Sequence, residues 1–392
     1  MDSSQTDEAL SHEGFASRIQ AVDLLRGAIV VLMAIDHVRV YSGIPAGGPT
    51  PGIFFTRWIT HFCAPGFVFL AGTSALLYGQ KIHDKGRLAG FLFSRGLLLV
   101  ILELTLIRLF WTFNLNFSNF MLAGVIWMLG WCMVIFSAFV RLKPSTVGLI
   151  GLVIIFGQQI FQYLPRLFPE SIRPAVGRIW EFFYPSGFDK MPGIAILYVL
   201  IPWIGLMMVG FGFGQLLLRK PETLRRISLT VGLTSIGLFL VAAIPITAYG
   251  PAPKGDFPFI FRVLAQQKYP PSQLYLLMTL GPLIALVPFA NRAKGKLRDL
   301  LIVFGRVPMF FYLLHILLIH CSALLVNLLI SGNAQQDWYQ TAPFTEIAED
   351  QRWSLGLLYL VYAVDIVILY FSCRWYGKYK ATHANQKWLK YL

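Results

Sequence analysis

Two residues on one apolar stretch, Arg26 and His37, are spaced for joint chemistry. They stand eleven positions apart in the run RIQAVDLLRGAIVVLMAIDHVRVY, residues 18–41. On a helix, about 100° per residue returns that spacing to within about 20° of one face. A rise of about 1.5 Å per residue separates the two by roughly 16 Å. A permanent cation at one end and a titratable base at the other suit one long substrate with an anionic head and a thin reactive arm. Gly27, next to the cation, would let another backbone or a ligand come close.

Further ionisable residues interrupt other apolar stretches: Asp36, His61, Glu103, Arg108, His315, His320 and Asp365. An ionisable group inside a span is costly and is a functional candidate by default. Counting rise along each stretch puts His37, His61, Arg108, His315 and Asp365 in one layer of a bilayer core of about 30 Å. Each also has a structural reading. Arg26 can pair with Asp23, and His37 can be a packing histidine. Asp36 points about 100° from His37 and can pair with Arg39. His61 precedes Pro65 by four residues and can compensate for the carbonyl that proline leaves without a donor. Glu103 and Arg108 diverge by about 140°. Each needs a partner elsewhere, and an Arg108–Asp365 ion pair is expected. His320 lies closest to a surface.

The elements that must position these groups are membrane helices. Hydrophobic residues make up 56% of the chain, charged residues 13%, and the mean hydropathy is +0.63. Uninterrupted apolar runs of about 20 residues are the signature of bilayer-spanning helices. Ten are read, at 22–43, 54–79, 91–113, 118–140, 145–166, 193–217, 227–249, 273–291, 300–330 and 353–373. The expected fold is an all-α polytopic bundle with a break near Pro308.

Placing the N-terminus inside puts 21 Lys and Arg in the inner loops and tails and 10 outside, with every inner loop short and basic. That asymmetry fits the positive-inside rule and puts both termini in the cytoplasm. The net charge of +14 is therefore a topology signal, and a nucleic-acid partner is rejected. Residues 1–17, polar and acidic, read as a flexible cytoplasmic tail and not a signal peptide. Residues 18–380 form the membrane domain, and 381–392 a second tail. The two long outer loops, 167–192 and 250–272, are rich in Pro, Gly and aromatics and read as lids or as packing segments. Four cysteines lack metal spacing, so neither a zinc site nor a structural disulfide is expected. No Walker, dinucleotide or HExxH pattern is present.

Residues 18–41, RWITHFCAPGFVFLAGTSALL at 57–77 and FGRVPMFFYLLHILLIH at 304–320 resemble the heparan-α-glucosaminide N-acetyltransferase catalytic family, in particular its bacterial members. An arginine-then-histidine first helix is also typical of membrane acyltransferases that O-acetylate sugars. The resemblance implies a multi-pass protein of the bacterial inner membrane. It would move an acetyl group from cytoplasmic acetyl-CoA to a glycan hydroxyl or amine on the far side, with a membrane-embedded histidine as base or acyl carrier. It carries over to Asp23, Arg26, Gly27 and His37. It also implies a catalytic histidine in the first outer loop, but SGIPAGGPTPGIFF, residues 42–55, has none. His37 or His61 is left to take that role, or the chemistry differs.

The expected catalytic set is His37, His61, Asp36 and Asp365, with Asp365 or Glu103 orienting the imidazole and Arg108 or His61 facing the oxyanion. Arg26, Gly27, Arg108 and His315 are expected around acetyl-CoA. Two other readings fit the same residues: a proton-coupled secondary transporter, and a non-catalytic membrane scaffold. A monomer and a homodimer are both compatible with the sequence.

Overall fold

The apolar run from Leu24 to Ile35 and its flanking charges form α1 (Ser3–Ser42), the helix around which the bundle is built. The computed structural model describes residues 3–48, 50–117, 120–251, 257–334, 337–383 and 385–391, with side chains from residue 20 onward except 387 and 390. Residues 1, 2, 384 and 392 of the expected tails, and residues 252–256 of the expected outer loop, lie outside the described residues. Residues 3–17, expected as a flexible tail, continue α1 as helix.

After α1 come α2 (Pro51–Trp58), α3 (Cys63–Ile82), α4 (Lys85–Leu102), α5 (Arg108–Thr112), α6 (Val125–Phe136), α7 (Pro144–Phe156), α8 (Arg173–Trp180) and α9 (Trp203–Leu217). Then follow α10 (Pro221–Tyr249), α11 (Phe259–Leu264), α12 (Gln273–Ala290), α13 (Lys296–Arg306), α14 (Pro308–Ser331) and α15 (Leu355–Thr382). A 3₁₀ turn, Ile59–Phe62, joins α2 to α3, and a π turn, Glu103–Ile107, joins α4 to α5.

Each of the ten expected segments contains a helix. Among the described residues six helical stretches are long and apolar enough to cross a membrane: Pro51–Ile82, Lys85–Thr112, Pro221–Tyr249, Gln273–Ala290, Pro308–Ser331 and Leu355–Thr382. A seventh is counted if α7 and the 3₁₀ segment Gln158–Leu167, bent by 75°, are taken together. The expected ninth span breaks at Val307–Pro308 into α13 and α14, because Pro308 can open a helix but cannot continue one without losing a backbone donor.

The fourth and sixth segments depart furthest from expectation. Their helices, α6 and α9, are 12 and 15 residues long. At about 1.5 Å per residue neither reaches the roughly 30 Å of a bilayer core. Ahead of each the chain runs extended, as β1 (Met121–Ala123) and β2 (Ile194–Ile196), which pair in parallel with Met121 opposite Ile194. Among the described residues the chain is mostly helical, as expected, with one small two-stranded sheet. Non-helical backbone at membrane depth is tolerated where protein buries it or where it lines a cavity. Leu122 and Leu197, from or next to these strands, do line one.

The core includes Val30 of α1, Phe69 of α3, Leu206 of α9, and Phe311 and Ile316 of α14, all fully buried. Large apolar side chains such as Leu233 and Val241 on α10 and Leu360 and Phe371 on α15 instead face outward. An apolar core together with an apolar outer surface is the pattern of a protein whose solvent is lipid.

Candidate functional site

His37 meets a second histidine. Its Nδ1 lies 2.6 Å from His315 Nε2, and the two rings stack with centroids 4.8 Å apart. His315 Nδ1 is 3.0 Å from the Phe311 carbonyl, one turn earlier on α14. A carbonyl only accepts, so His315 Nδ1 carries the hydrogen and its Nε2 is a lone pair. That lone pair requires His37 Nδ1 to be the donor, which leaves His37 Nε2 as the basic nitrogen of a neutral ring. His315 is fully buried, whereas His37 is half-buried and lines a cavity of about 170 Å³. Trp111 packs edge-on against His37 at 4.8 Å, with Tyr312 at 6.3 Å. The imidazole is thereby fixed in both orientation and tautomer.

The end of α1 that carries His37 is held from far along the chain. The last four carbonyls of a helix have no partner within it. Here all four have one. Ser42 Oγ donates to Arg39 O, Thr345 Oγ1 to Val40 O, Tyr339 Oη to Tyr41 O, and the Trp353 N–H to Ser42 O. Tyr41 Oη in turn donates to the Trp111 carbonyl at 2.6 Å.

The same cavity is lined by charges with assigned partners. Asp36 Oδ1 accepts from Arg39 Nε at 2.9 Å, and its Oδ2 is 3.4 Å from Arg57 Nη1. The Arg39 pair was expected; the second arginine, from α2, was not. Both carboxylate oxygens are engaged, so Asp36 acts as an anchor between α1 and α2. Lys268 reaches the cavity from the loop before α12, with Nζ 5.2 Å from the Tyr269 ring and 5.8 Å from that of Tyr198. Glu103, projected by the π turn, is also in the lining. Neither Asp365 nor Glu103 contacts His37; His315 takes the orienting position.

A second cavity, of about 420 Å³, lies toward the other end of α1. Arg26, Arg95, Arg306 and Lys380 line it, with Ser74 and Tyr78, and its described lining contains no acidic residue. Arg26 is braced by Asp23 Oδ1 at 3.1 Å, Ser74 Oγ at 2.6 Å and the Gly305 carbonyl at 3.1 Å. The expected pairing with Asp23 is present, and Arg26 faces a cavity as well. Phe67, Val125 and Tyr312 line both cavities, so the two meet at these side chains.

Gly27 faces away from both cavities. A methyl there would overlap the Leu301 carbonyl of α13, and one on Gly305 would overlap the Asp23 carbonyl. This reciprocal contact lets α13 lie against α1 and aims Arg26 at the cavity; Gly27 approaches a backbone, not a ligand.

The remaining expected residues are scattered. His61 does not line either cavity. Its Nδ1 is 3.1 Å from the carbonyls of Arg57 and Trp58, and its own carbonyl, unpaired in the helix because of Pro65, accepts from Tyr275 Oη at 2.7 Å. Arg108 makes no ion pair with Asp365. Its guanidinium donates to the carbonyls of Asn114, Asn116 and Phe120, and it holds that loop in place. Asp365 accepts from Ser322 Oγ at 2.8 Å and lines neither cavity. His320 Nδ1 is 2.9 Å from the Phe110 carbonyl, and its ring stacks on Phe113. Sequence reasoning did not single out Arg57, Lys268, Arg95 or Lys380 for the site. Only the pairing of Lys268 with Tyr269 in a Pro-rich loop carried a signal. Among the described residues no group of three or more His, Cys, Asp or Glu is placed to hold a metal ion.

Comparison with known proteins bears on this arrangement. The sequence profile described as heparan-alpha-glucosaminide N-acetyltransferase, catalytic, matches residues 18–242, more than half of the chain. No curated protein matches the chain. The matched stretch includes α1 with Arg26 and His37, and Glu103 on its π turn; His315, Lys268, Arg306 and Lys380 come from the remainder. The chain belongs to the heparan-alpha-glucosaminide N-acetyltransferase catalytic family, a family of membrane acetyltransferases.

Proposed function

We propose that this protein transfers an acetyl group from acetyl-CoA, taken up at the Arg26 end of the bundle, to a glycan hydroxyl or amine that enters at the His37 end. The observation that carries the reading is the pair of meeting cavities on one helix face. One is lined by four cations and the other by a histidine with a free Nε2. A cavity of about 420 Å³ is within the usual range for a small-molecule site, about 300–1,000 Å³. Its cations suit the phosphates of coenzyme A, because guanidinium and ammonium donors make the stronger, charge-assisted hydrogen bonds to phosphate. The positive-inside asymmetry supports putting the Arg26 end at the cytoplasm, the resemblance to bacterial proteins supports an inner membrane, and the acceptor then comes from the opposite side.

With the nucleotide among Arg26, Arg95, Arg306 and Lys380, the pantetheine arm extends past Phe67, Val125 and Tyr312 and brings the thioester to His37. Nε2 of His37 removes the proton of the acceptor O–H or N–H as the acceptor oxygen or nitrogen attacks the thioester carbonyl. The C–S bond then breaks, and the thiolate of coenzyme A takes the proton back from the imidazolium. His315 accepts the His37 Nδ1 hydrogen bond throughout and so keeps the ring in the tautomer that presents Nε2. This direct route needs no acyl-histidine.

The test is a thermal-shift titration of the purified protein with acetyl-CoA beside an Arg26→Ala variant. Saturable stabilisation, about 2.7 kcal/mol at a hundredfold excess over Kd, that weakens in the variant supports the reading. A folded protein that is stabilised by neither acetyl-CoA nor longer acyl-CoAs sinks it and favours the transporter reading.

A further inference from the structure

Glu103 has a geometry that the proposed chemistry does not yet use. It is 1% exposed and lines the His37 cavity. Its carboxyl lies against the chain at Gly124, where α6 begins. Oxygen Oε1 is the one against Gly124, so close that a methyl on residue 124 would overlap it. Oxygen Oε2 is buried and has no hydrogen-bond partner. The site is built on both sides. Upstream, the π turn Glu103–Ile107 breaks the regular α spacing at this residue, a device that recurs at functional sites. Downstream, a glycine stands where any other residue would evict the carboxylate. The result is a carboxyl packed against the start of α6, with one oxygen left without a hydrogen-bond partner, on a side chain that lines the cavity holding the free nitrogen of His37.

We propose that Glu103 docks the acceptor: its Oε2 takes a hydrogen bond from an O–H or N–H of the incoming sugar and so sets the reacting group beside His37. The inference rests on the acetyl-transfer reading and adds a specificity-determining residue to it. A carboxylate oxygen accepts only, so the group it selects must carry a hydrogen. The thioester arm has an acceptor carbonyl at its reactive end and gains nothing there. The donor and the acceptor are thus sorted to different walls of one cavity. Substitution by Gln inverts the polarity. The amide keeps the shape of the side chain and puts an NH₂ donor where the carboxyl offers an acceptor.

The experiment measures acetylation by purified wild-type, Glu103→Gln and Gly124→Ala proteins, with acetyl-CoA as donor and glucosamine and glucose as acceptors. Glu103→Gln is expected to raise the acceptor KM by about tenfold or more, the loss of one charged hydrogen bond, and to leave the KM for acetyl-CoA unchanged. Gly124→Ala, which acts only by displacing the carboxylate, shifts the acceptor KM in the same direction and by less. An unchanged acceptor KM in both variants overturns the inference while the acetyl-transfer reading stands. Loss of acetyl-CoA-dependent thermal stabilisation in both variants also overturns it, since Glu103 would then support the fold and not the acceptor. A wild-type protein that acetylates neither sugar fails the acetyl-transfer reading itself, and the Glu103 inference falls with it.

Discussion

The two ends of α1 solve different problems with the same kinds of residue. Around His37 the groups are held in place: Asp36 is shared by Arg39 and Arg57, and the imidazole is locked through His315 to the Phe311 carbonyl. Around Arg26, four cations face a larger cavity whose described lining holds no acid. A site whose groups are fixed by one another suits a proton transfer in a fixed geometry. A site with an excess of one sign is organised to receive a ligand of the other. On the acetyl-transfer reading, the difference separates turning substrate over from holding it, on one helix, about three turns apart.

That separation is open to test, beginning with the largest effect. His37→Ala should lower acetyl transfer by about 10²–10⁴-fold, the usual contribution of a general base. Acetyl-CoA should still stabilise that variant; if its binding were lost as well, the division between the two ends would fail. His315→Phe keeps the ring stacked against His37 and removes the acceptor for Nδ1. Turnover should fall by about tenfold or more, on the scale of a hydrogen bond to a charged group, with acetyl-CoA affinity unchanged. Wild-type turnover in that variant would show that His37 needs no partner.

Arg26→Ala should weaken acetyl-CoA binding by about tenfold while kcat at saturation stays close to wild type. The remaining affinity should fall as salt is raised, since the other cations are partly screened. A kcat effect as large as the affinity effect would merge the two ends into one. The smallest effect expected is for Gly305→Ala, whose methyl would meet the Asp23 carbonyl. Overpacking of this kind costs about 1–3 kcal/mol, read as a lowered thermal midpoint, with binding restored when acetyl-CoA is in excess.

Much of the scaffold was legible because membrane helices announce themselves by apolar length, and the Arg26–His37 spacing was legible because α1 is a regular helix. Where the backbone is regular, the angular arithmetic held: both residues line cavities on one face. It failed where the backbone departs from α geometry. The π turn at Glu103–Ile107 invalidates the wheel used to place Glu103 against Arg108. Arg108 was then captured by the carbonyls of a loop that follows it, contacts that no periodicity encodes. The 12-residue α6 and the strand before it read in sequence as one uniform apolar span, because strand and helix residues there are equally hydrophobic. Equal depth placed His37 and His315 in one layer, but only the rotation of α14 about its axis, set by the break at Pro308, brings the two rings into contact. Depth grouped five residues, and packing joined two of them.

The bonds that close the end of α1 have a consequence for the order in which the molecule can be completed. Three of the side chains and amides that satisfy its last carbonyls, those of Tyr339, Thr345 and Trp353, lie some three hundred residues further along, and His315 is nearly as distant. During synthesis the first helix therefore waits in the bilayer, unfinished at its tip and with its histidine unpaired, until the final quarter of the chain arrives. A truncated or stalled product would contain every residue of the matched family region and still hold no oriented base. The His37–His315 contact thus comes into being only once the last quarter of the chain has packed against α1.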